Sequence, residues 1–197
     1  MSATPPNPTD MHILLASNSP RRRELLSMIV PEFSIAEMHD IDETHPAGMP
    51  AHEIPLYLSQ LKARAYRHQL HPGQLMITAD TVVINNGEML GKPHSHTQAV
   101  EMLSALRGHT HSVVTGVTLT STTASSSFAE ETMVTFADIS DEEINQYVDR
   151  YAPFDKAGAY GIQEWIGAIA ISGISGCYYN VMGLPLHTLY NEIKKFS

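Results

Sequence analysis

The sequence predicts a mixed α/β fold, in which helices flank a partly antiparallel sheet. Apolar runs typical of buried strands alternate with helical patterns in the first half of the chain. Further along, a strand is followed by the turn residues Asn85, Asn86 and Gly87, which indicate a hairpin. Because a hairpin joins antiparallel strands, a purely parallel, doubly wound sheet is not expected.

The first elements follow from local signals. The apolar run from His12 to Ser17 predicts a short strand, and Ser19 and Pro20 supply a helix N-cap and a proline at the first helical position. A second helix is indicated by apolar residues at helical spacing, with Lys62 at the border of their face: Ile54, Leu58, Leu61 and Ala65. A strand over 75–84 and a short return around Met89 and Leu90 come next.

The second half predicts a helix from Ser95 to Arg107, then two strands over 111–120 and 132–137. A Ser/Thr-rich connection near 121–127 is expected to form a floppy hairpin tip. Ser140 and Glu143 have capping-box spacing and predict a helix behind them. The glycine-rich region over 156–183 indicates sharp turns or close backbone approaches, and a last amphipathic helix is predicted over 185–196.

The chain has 197 residues, of which 43% are hydrophobic and 17% charged, so it can bury a core. This length suits one domain or two small lobes. Residues 1–10, rich in Pro, Thr and Asn, predict a flexible N-terminal extension, and residues 11–197 form the predicted domain.

The formal net charge of −9 excludes the broad basic face that non-specific binding to a nucleic acid polymer requires. The single cysteine, Cys177, has no partner for an internal disulfide, which is typical of a reducing compartment. No apolar run is long enough to cross a membrane, and the first residues do not resemble a signal peptide. We therefore expect a cytoplasmic protein that does not bind a membrane.

Three arginines follow Ser17 and Ser19 in the first turn of a predicted helix, the end at which the helix dipole disfavours cations. Arg21 and Arg22 would be explained by an arriving phosphate, since guanidinium groups match phosphate oxygens. The alternative is a basic turn that is simply solvated.

Asp80 interrupts an otherwise apolar strand, where an unpaired charge is costly. It is therefore paired, metal-bound or at the rim of a cleft, or else it is a structural aspartate that accepts backbone hydrogen bonds. Together with Asp42 and Glu43 it could hold Mg²⁺. Weaker signals are Lys92 and Lys156 in glycine-bearing loops, and Gln163, whose amide could read a base edge.

Seven motifs, taken in order, resemble the Maf family of nucleoside triphosphate pyrophosphatases. They are Ala16 to Arg22, Ile41 to Glu43, Lys62 and Ala63, Ala79 to Val83, Gly91 to Pro93, Asp155 to Gln163, and Val181 to Pro185. The resemblance extends from about Met11 to Phe196. It implies a fold like that of inosine triphosphate pyrophosphatases, with two lobes around a cleft, and it allows a homodimer.

The resemblance also implies the site. The general base of the family matches Asp80, and Glu43 matches a metal ligand, so that Glu43 and Asp80 would hold Mg²⁺ or Mn²⁺. Lys92 is expected in the catalytic set. Positions linked to substrate choice fall on Arg21, Thr81 and Gln163, and those expected around the triphosphate are Ser17, Arg22, Lys62 and Lys92.

The expected reaction converts dTTP and UTP, or modified pyrimidine nucleotides, to the monophosphate and pyrophosphate. Two alternatives stay open at this point. One is a nucleotide-binding regulator of cell division, without essential catalysis. The other is a pyrophosphatase that acts on purine or 7-methylated nucleotides.

Overall fold

The computed structural model describes residues 7–196. Its strands are β1 (His12–Leu15), β2 (Phe33–Ile35), β3 (Gln74–Asn85), β4 (Glu88–Leu90), β5 (Thr110–Thr120), β6 (Ser125–Phe136) and β7 (Ile171–Ser175). They form a seven-stranded sheet in the order β2-β1-β3-β5-β6-β7, and β4 pairs with β3. Strand β1 is parallel to β2 and β3, whereas the β3–β4 and β6–β7 pairs are antiparallel. The predicted mixed sheet is confirmed.

The helices are α1 (Pro20–Ser27), α2 (Ile54–Tyr66), α3 (His96–Leu106), α4 (Asp141–Tyr151), α5 (Trp165–Ala170), α6 (Tyr178–Met182) and α7 (Leu186–Ile193). Short 3-10 turns lie at Arg67–Gln69, Ala157–Ala159 and Lys194–Phe196. The predicted N-cap of α1 and the predicted capping box of α4 are confirmed: the Ser19 side chain accepts a hydrogen bond at the start of α1, and Ser140 and Glu143 form the capping box. Ser95, predicted as the first residue of its helix, is the N-cap of α3.

The chain divides into two compact units, in agreement with the two predicted lobes. Unit 1 comprises Met1–Asp80, Thr115–Glu130 and Gly183–Ser197, and unit 2 comprises Thr81–Val114 and Glu131–Met182. Strands β3, β5 and β6 each contribute residues to both units.

In unit 1, helix α2 buries the predicted Ile54 and Leu58, but the rest of its buried face differs from the prediction. Leu61 and Ala65 are half-buried, while Ser59 and Ala63 are buried, as is Tyr66 at the end of the helix. Small side chains occupy this face because α2 lies close to β5, where the Ser59 hydroxyl is 2.8 Å from the Thr118 hydroxyl. Hydrophobic periodicity alone does not reveal such a close approach, so the prediction was wrong for Leu61 and Ala65.

The predicted floppy tip of the second hairpin is also wrong, because β6 begins at Ser125 rather than at Thr132. The turn before it is tight: the Ser121 N–H donates to the Ala124 carbonyl at 2.8 Å. Hydroxyl pairs link the two strands, with Thr118 and Ser127 at 3.0 Å and Thr120 and Ser125 at 3.2 Å. Serine and threonine therefore extend this ladder rather than loosening it.

The glycine-rich region contains α5, β7 and α6, which were not predicted, although the predicted close backbone approach is confirmed. A Cβ at Gly167 would lie 1.7 Å from the Ile162 carbonyl oxygen. At the other end of the chain, residues 1–6 of the predicted extension lie outside the described residues. Within residues 7–196, no helix is long and apolar enough to cross a membrane.

An aromatic cluster lies at the centre of the unit 2 core. His111, Phe136 and Tyr160 meet edge to face, with ring centroids 5.0 to 5.5 Å apart. The Nε2 atom of His111 is 2.7 Å from the Tyr160 hydroxyl, while its buried Nδ1 has no hydrogen-bond partner within the described chain. Burial lowers the pKa of His111 from 6.5 to about 4, so the folded protein holds this ring neutral.

The stability of the fold should therefore decrease in acid. The unfolded chain binds a proton at His111 near pH 6.5, whereas the folded chain does so only near pH 4, so stability is lost as the pH falls through this window. The loss attributable to His111 should reach about 3 kcal/mol. Between pH 4 and 7, the free energy of unfolding measured in urea should change less steeply with pH in His111→Gln than in wild type. His109 is exposed, so His109→Gln is the control. The same pH dependence of the free energy of unfolding in all three proteins would contradict the expectation.

Candidate active site

Two parallel strands of unit 1 bring predicted site residues to neighbouring positions. Ser17 follows β1, and Asp80 lies in β3, which pairs with β1 through Leu15 and Ile77. The ladder continues as the Ala16 N–H donates to the Ile77 carbonyl at 2.9 Å. Ser17 is buried, and its hydroxyl accepts a hydrogen bond from the Ser19 N–H at 3.2 Å. The carboxyl end of a parallel strand is where α/β proteins commonly bind ligands.

Lys62 joins the two predicted acidic residues. Its ammonium lies 2.6 Å from Asp80 Oδ1 and 3.0 Å from Glu43 Oε2. The side chains of Lys62 and Asp80 are only 12% and 14% exposed, whereas that of Glu43 is 47% exposed. Asp80 is therefore a paired carboxylate at a partly open position, and the unpaired buried charge considered from the sequence does not occur.

The same two carboxylates suit a divalent cation. One oxygen of each carboxylate contacts the Lys62 ammonium, and carboxylates are preferred ligands of Mg²⁺ and Mn²⁺. Across residues 7–196, no group of three or more His, Cys, Asp and Glu side chains could hold a metal. A pair is the number of protein carboxylates that Mg²⁺ commonly takes, with water and phosphate oxygens completing its shell.

Arg22 is tied to the backbone of unit 1. Its Nε donates to the Gly183 carbonyl and its Nη1 to the Ala79 carbonyl, both at 2.9 Å. Burial lowers the pKa of the Arg22 guanidinium, and the neighbouring charge of Asp80 raises it. Because Ala79 immediately precedes Asp80, these bonds hold the strand that carries the carboxylate. Arg21 adds a second positive charge beside Arg22, while Arg23 is exposed.

Unit 2 carries the remaining predicted residues. Thr81 is half-buried, and Lys92 and Gln163 are both exposed. The Gly158 N–H donates to the Gly91 carbonyl at 3.1 Å and thereby links the loop of Lys92 to the loop that follows Lys156. Gly158 has a φ of +67° and lies against Val83, which explains a glycine at this position.

Sequence reasoning missed Tyr147 and Glu164 of unit 2. Lys156 is buried and lies 3.2 Å from Glu164 Oε1, and the Tyr147 hydroxyl donates to Glu164 Oε2. Tyr147 lies in α4, where its side chain is buried. A polar residue directly after Gln163 was the one available signal for this pair.

A family model described as Maf-like protein matches residues 12–196. A dTTP/UTP pyrophosphatase of Phocaeicola vulgatus is 55% identical over 93% of this chain and 95% of the relative. One of Porphyromonas gingivalis is 53% identical over 94% of each chain. A solved nucleoside-triphosphatase / dITP/XTP pyrophosphatase of Mycobacterium abscessus is 14% identical, with a TM-score of 0.38, and the match covers 66% of this chain and 76% of the other.

Proposed function

The chain belongs to the Maf-like protein family, and from that premise we propose that it hydrolyses dTTP and UTP to the nucleoside monophosphate and pyrophosphate. Similarity over nearly the whole chain to relatives named dTTP/UTP pyrophosphatase supports this activity. The resemblance predicted from the seven motifs is thereby confirmed at the level of the family. The observation that carries the proposal is the pair of carboxylates, Asp80 and Glu43, joined by the Lys62 ammonium.

Asp80 is the general base of the proposed reaction. Its Oδ1 is held by Lys62, and the carboxylate takes a proton from a water molecule as that water attacks phosphorus. The water oxygen forms a bond to the α phosphorus, and the bond from that phosphorus to the bridging oxygen breaks. Pyrophosphate leaves with the bridging oxygen, the water oxygen stays on the monophosphate, and Asp80 holds the proton that the water gave up.

Glu43 and Asp80 would hold the divalent cation. When bound, Mg²⁺ or Mn²⁺ supplies positive charge that neutralises the phosphate oxygens. Lys62 has a related role without the cation, because it holds both carboxylates in one place. This arrangement avoids the repulsion that two adjacent carboxylates would otherwise experience.

The other basic residues position the triphosphate. Arg21 and Arg22 lie in the first turn of α1, next to the backbone N–H groups of a helix start. Together with Ser17 they bind phosphate oxygens in the proposal, and Lys92 offsets charge on the leaving pyrophosphate. The backbone contacts of Arg22 give it a second role, which is to hold β3 next to Asp80.

Gln163 and Thr81 read the base. A glutamine amide both donates and accepts hydrogen bonds, which suits the N3–H and carbonyl groups of thymine and uracil. A base that lacks this pattern leaves polar groups unpaired and is therefore bound less well. The exposed position of Gln163 leaves its amide accessible. Modified pyrimidine nucleotides with the same edge are further candidate substrates.

We propose in addition that the protein acts in the cytoplasm on free nucleotides rather than on a nucleic acid polymer. A net charge of −9 opposes binding to polymeric phosphate. The domain proposed for this activity comprises residues 11–197. The predicted homodimer can be checked by sedimentation of the purified protein.

Purified protein should release pyrophosphate from dTTP and UTP when Mg²⁺ or Mn²⁺ is present. Release from CTP, dATP, GTP, ITP and 7-methyl-GTP should be at least about tenfold slower. Cytosine and adenine lack the N–H next to a carbonyl that suits the Gln163 amide, and guanine, hypoxanthine and 7-methylguanine are larger than thymine and uracil. Chelation with EDTA should stop release, and added metal should restore it, since the carboxylate pair would otherwise bind no divalent cation. The measurement is a pyrophosphate assay across the seven nucleotides.

Two other results of this assay would contradict parts of the proposal. Rapid release from ITP or 7-methyl-GTP would keep the chemistry but overturn the role of Gln163. Binding of dTTP without release from any nucleotide would overturn the enzymatic function and favour a nucleotide-binding regulator.

A further inference from the structure

The exposed Gln163 lies in a turn that closes on itself. The Glu164 N–H donates to the Gly161 carbonyl at 3.0 Å, so that Ile162 and Gln163 lie at the tip. Space inside the turn is minimal: a Cβ on Gly161 would lie 2.9 Å from Glu164 Cδ and 3.0 Å from Gln163 Nε2. The Gln163 amide is thus packed against the turn that carries it.

A single tyrosine hydroxyl holds both ends of this turn. Tyr147 Oη accepts a hydrogen bond from the Gly161 N–H at 3.1 Å and donates to Glu164 Oε2. Tyr147 is fully buried on α4, a helix whose start is closed by a capping box. Burial is the main cause that raises the pKa of Tyr147, so the phenol stays protonated and able to donate.

Glu164 is held from its other side as well. Its Oε1 lies 3.2 Å from the ammonium of Lys156, which also binds Asp155 Oδ1 at 2.8 Å. The Lys156 side chain is 9% exposed and that of Glu164 is 19% exposed, so this ion pair is largely shielded from water. Both oxygens of Glu164 therefore have partners, and the carboxylate has one defined orientation.

We propose that the Tyr147–Glu164 hydrogen bond, supported by Lys156, positions the Gln163 amide and thereby sets the preference for thymine and uracil over other bases. This inference rests on the proposed function of Gln163 as the residue that reads the base. Tyr147 and Glu164 are positioning residues in it, since they act through Gln163. The chemical step, which involves Asp80, is unaffected by them.

The test is Tyr147→Phe, which removes the hydroxyl and keeps the ring. Tyr151→Phe is a matched control, because Tyr151 stacks on Tyr147 in the same helix at 5.1 Å and its hydroxyl makes no hydrogen bond within the described chain. The ratio of kcat/KM for dTTP to that for CTP should fall about tenfold in Tyr147→Phe, the equivalent of one hydrogen bond. The loss should appear as a higher KM for dTTP at unchanged kcat, and Tyr151→Phe should match wild type.

Amide hydrogen exchange gives a readout that does not depend on turnover. The Gly161 N–H should exchange faster in Tyr147→Phe than in wild type or Tyr151→Phe, because its acceptor is gone. Glu164→Met is a second variant, which keeps the length of the side chain and removes both the acceptor of the Tyr147 hydroxyl and the partner of Lys156. If Tyr147→Phe fails to fold, Glu164→Met should show the same fall in selectivity.

Unchanged selectivity in the folded variants would overturn the positioning role. Binding of the non-hydrolysable α,β-methylene analogues of dTTP and CTP separates this outcome from failure of the proposed function. If wild type binds the dTTP analogue more tightly than the CTP analogue but hydrolyses no nucleotide, the proposed pyrophosphatase activity is refuted. Loss of that binding preference in Tyr147→Phe would still support the positioning role. Wild type with no preference between the analogues would overturn both.

Discussion

Replacing Asp80 with asparagine should lower kcat for dTTP by about a thousandfold, the typical contribution of a general base. Asparagine has the same shape, and its carbonyl oxygen can still accept the hydrogen bond from Lys62, which lies 2.6 Å from Oδ1 in the native protein. It cannot take a proton from water at neutral pH. The measurement is pyrophosphate release at saturating dTTP and metal.

Two further measurements make this prediction specific. Binding of the α,β-methylene analogue of dTTP should remain within about tenfold of wild type, because the arginines and lysines around the phosphates are intact. Asp149→Asn is the matched control, since Asp149 is exposed on α4 and its carboxylate lies 2.9 Å from His96 rather than near the proposed site. Turnover retained by Asp80→Asn would remove Asp80 as the base.

The capped helices and the mixed sheet could be predicted because their signals are local. Helix starts are defined locally by Ser19 with Pro20 and by the Ser140 capping box, independently of residues distant in sequence. Lys62 at the border of an apolar face was also predicted, and the structure places its ammonium against Asp80. A lysine at that border can keep its stem against the protein while its charge reaches a polar partner.

The errors have tertiary causes. The Ser/Thr-rich segment before Thr132 was taken for a floppy tip because such a composition favours loops, yet hydroxyl pairs such as Thr118 and Ser127 extend the strands there. Tyr147 and Glu164 are far apart in sequence, so their hydrogen bond has no local signature. The site prediction depended on the family motifs, since Glu43, Lys92 and Gln163 taken singly are ordinary surface residues.

Gly116 was also overlooked, and its replacement by alanine should destabilise the protein by about 3 kcal/mol. A Cβ at this position in β5 would lie 2.3 Å from Leu56 N and 2.4 Å from Leu56 Cα and from the Pro55 carbonyl carbon. These are backbone atoms of α2, so no side chain can rotate away to make room. The helix would have to move off the strand, and urea unfolding of Gly116→Ala measures the cost.

Activity should fall with stability in this variant. Helix α2 carries Lys62, whose ammonium lies within 3.0 Å of both Asp80 and Glu43, so a displaced helix separates the lysine from its carboxylates. Gly173→Ala in β7 is the control: its added Cβ would be no closer than 3.7 Å to Thr135, an ordinary contact. If Gly116→Ala matched Gly173→Ala in both stability and kcat, close packing of α2 on β5 could not be what positions Lys62.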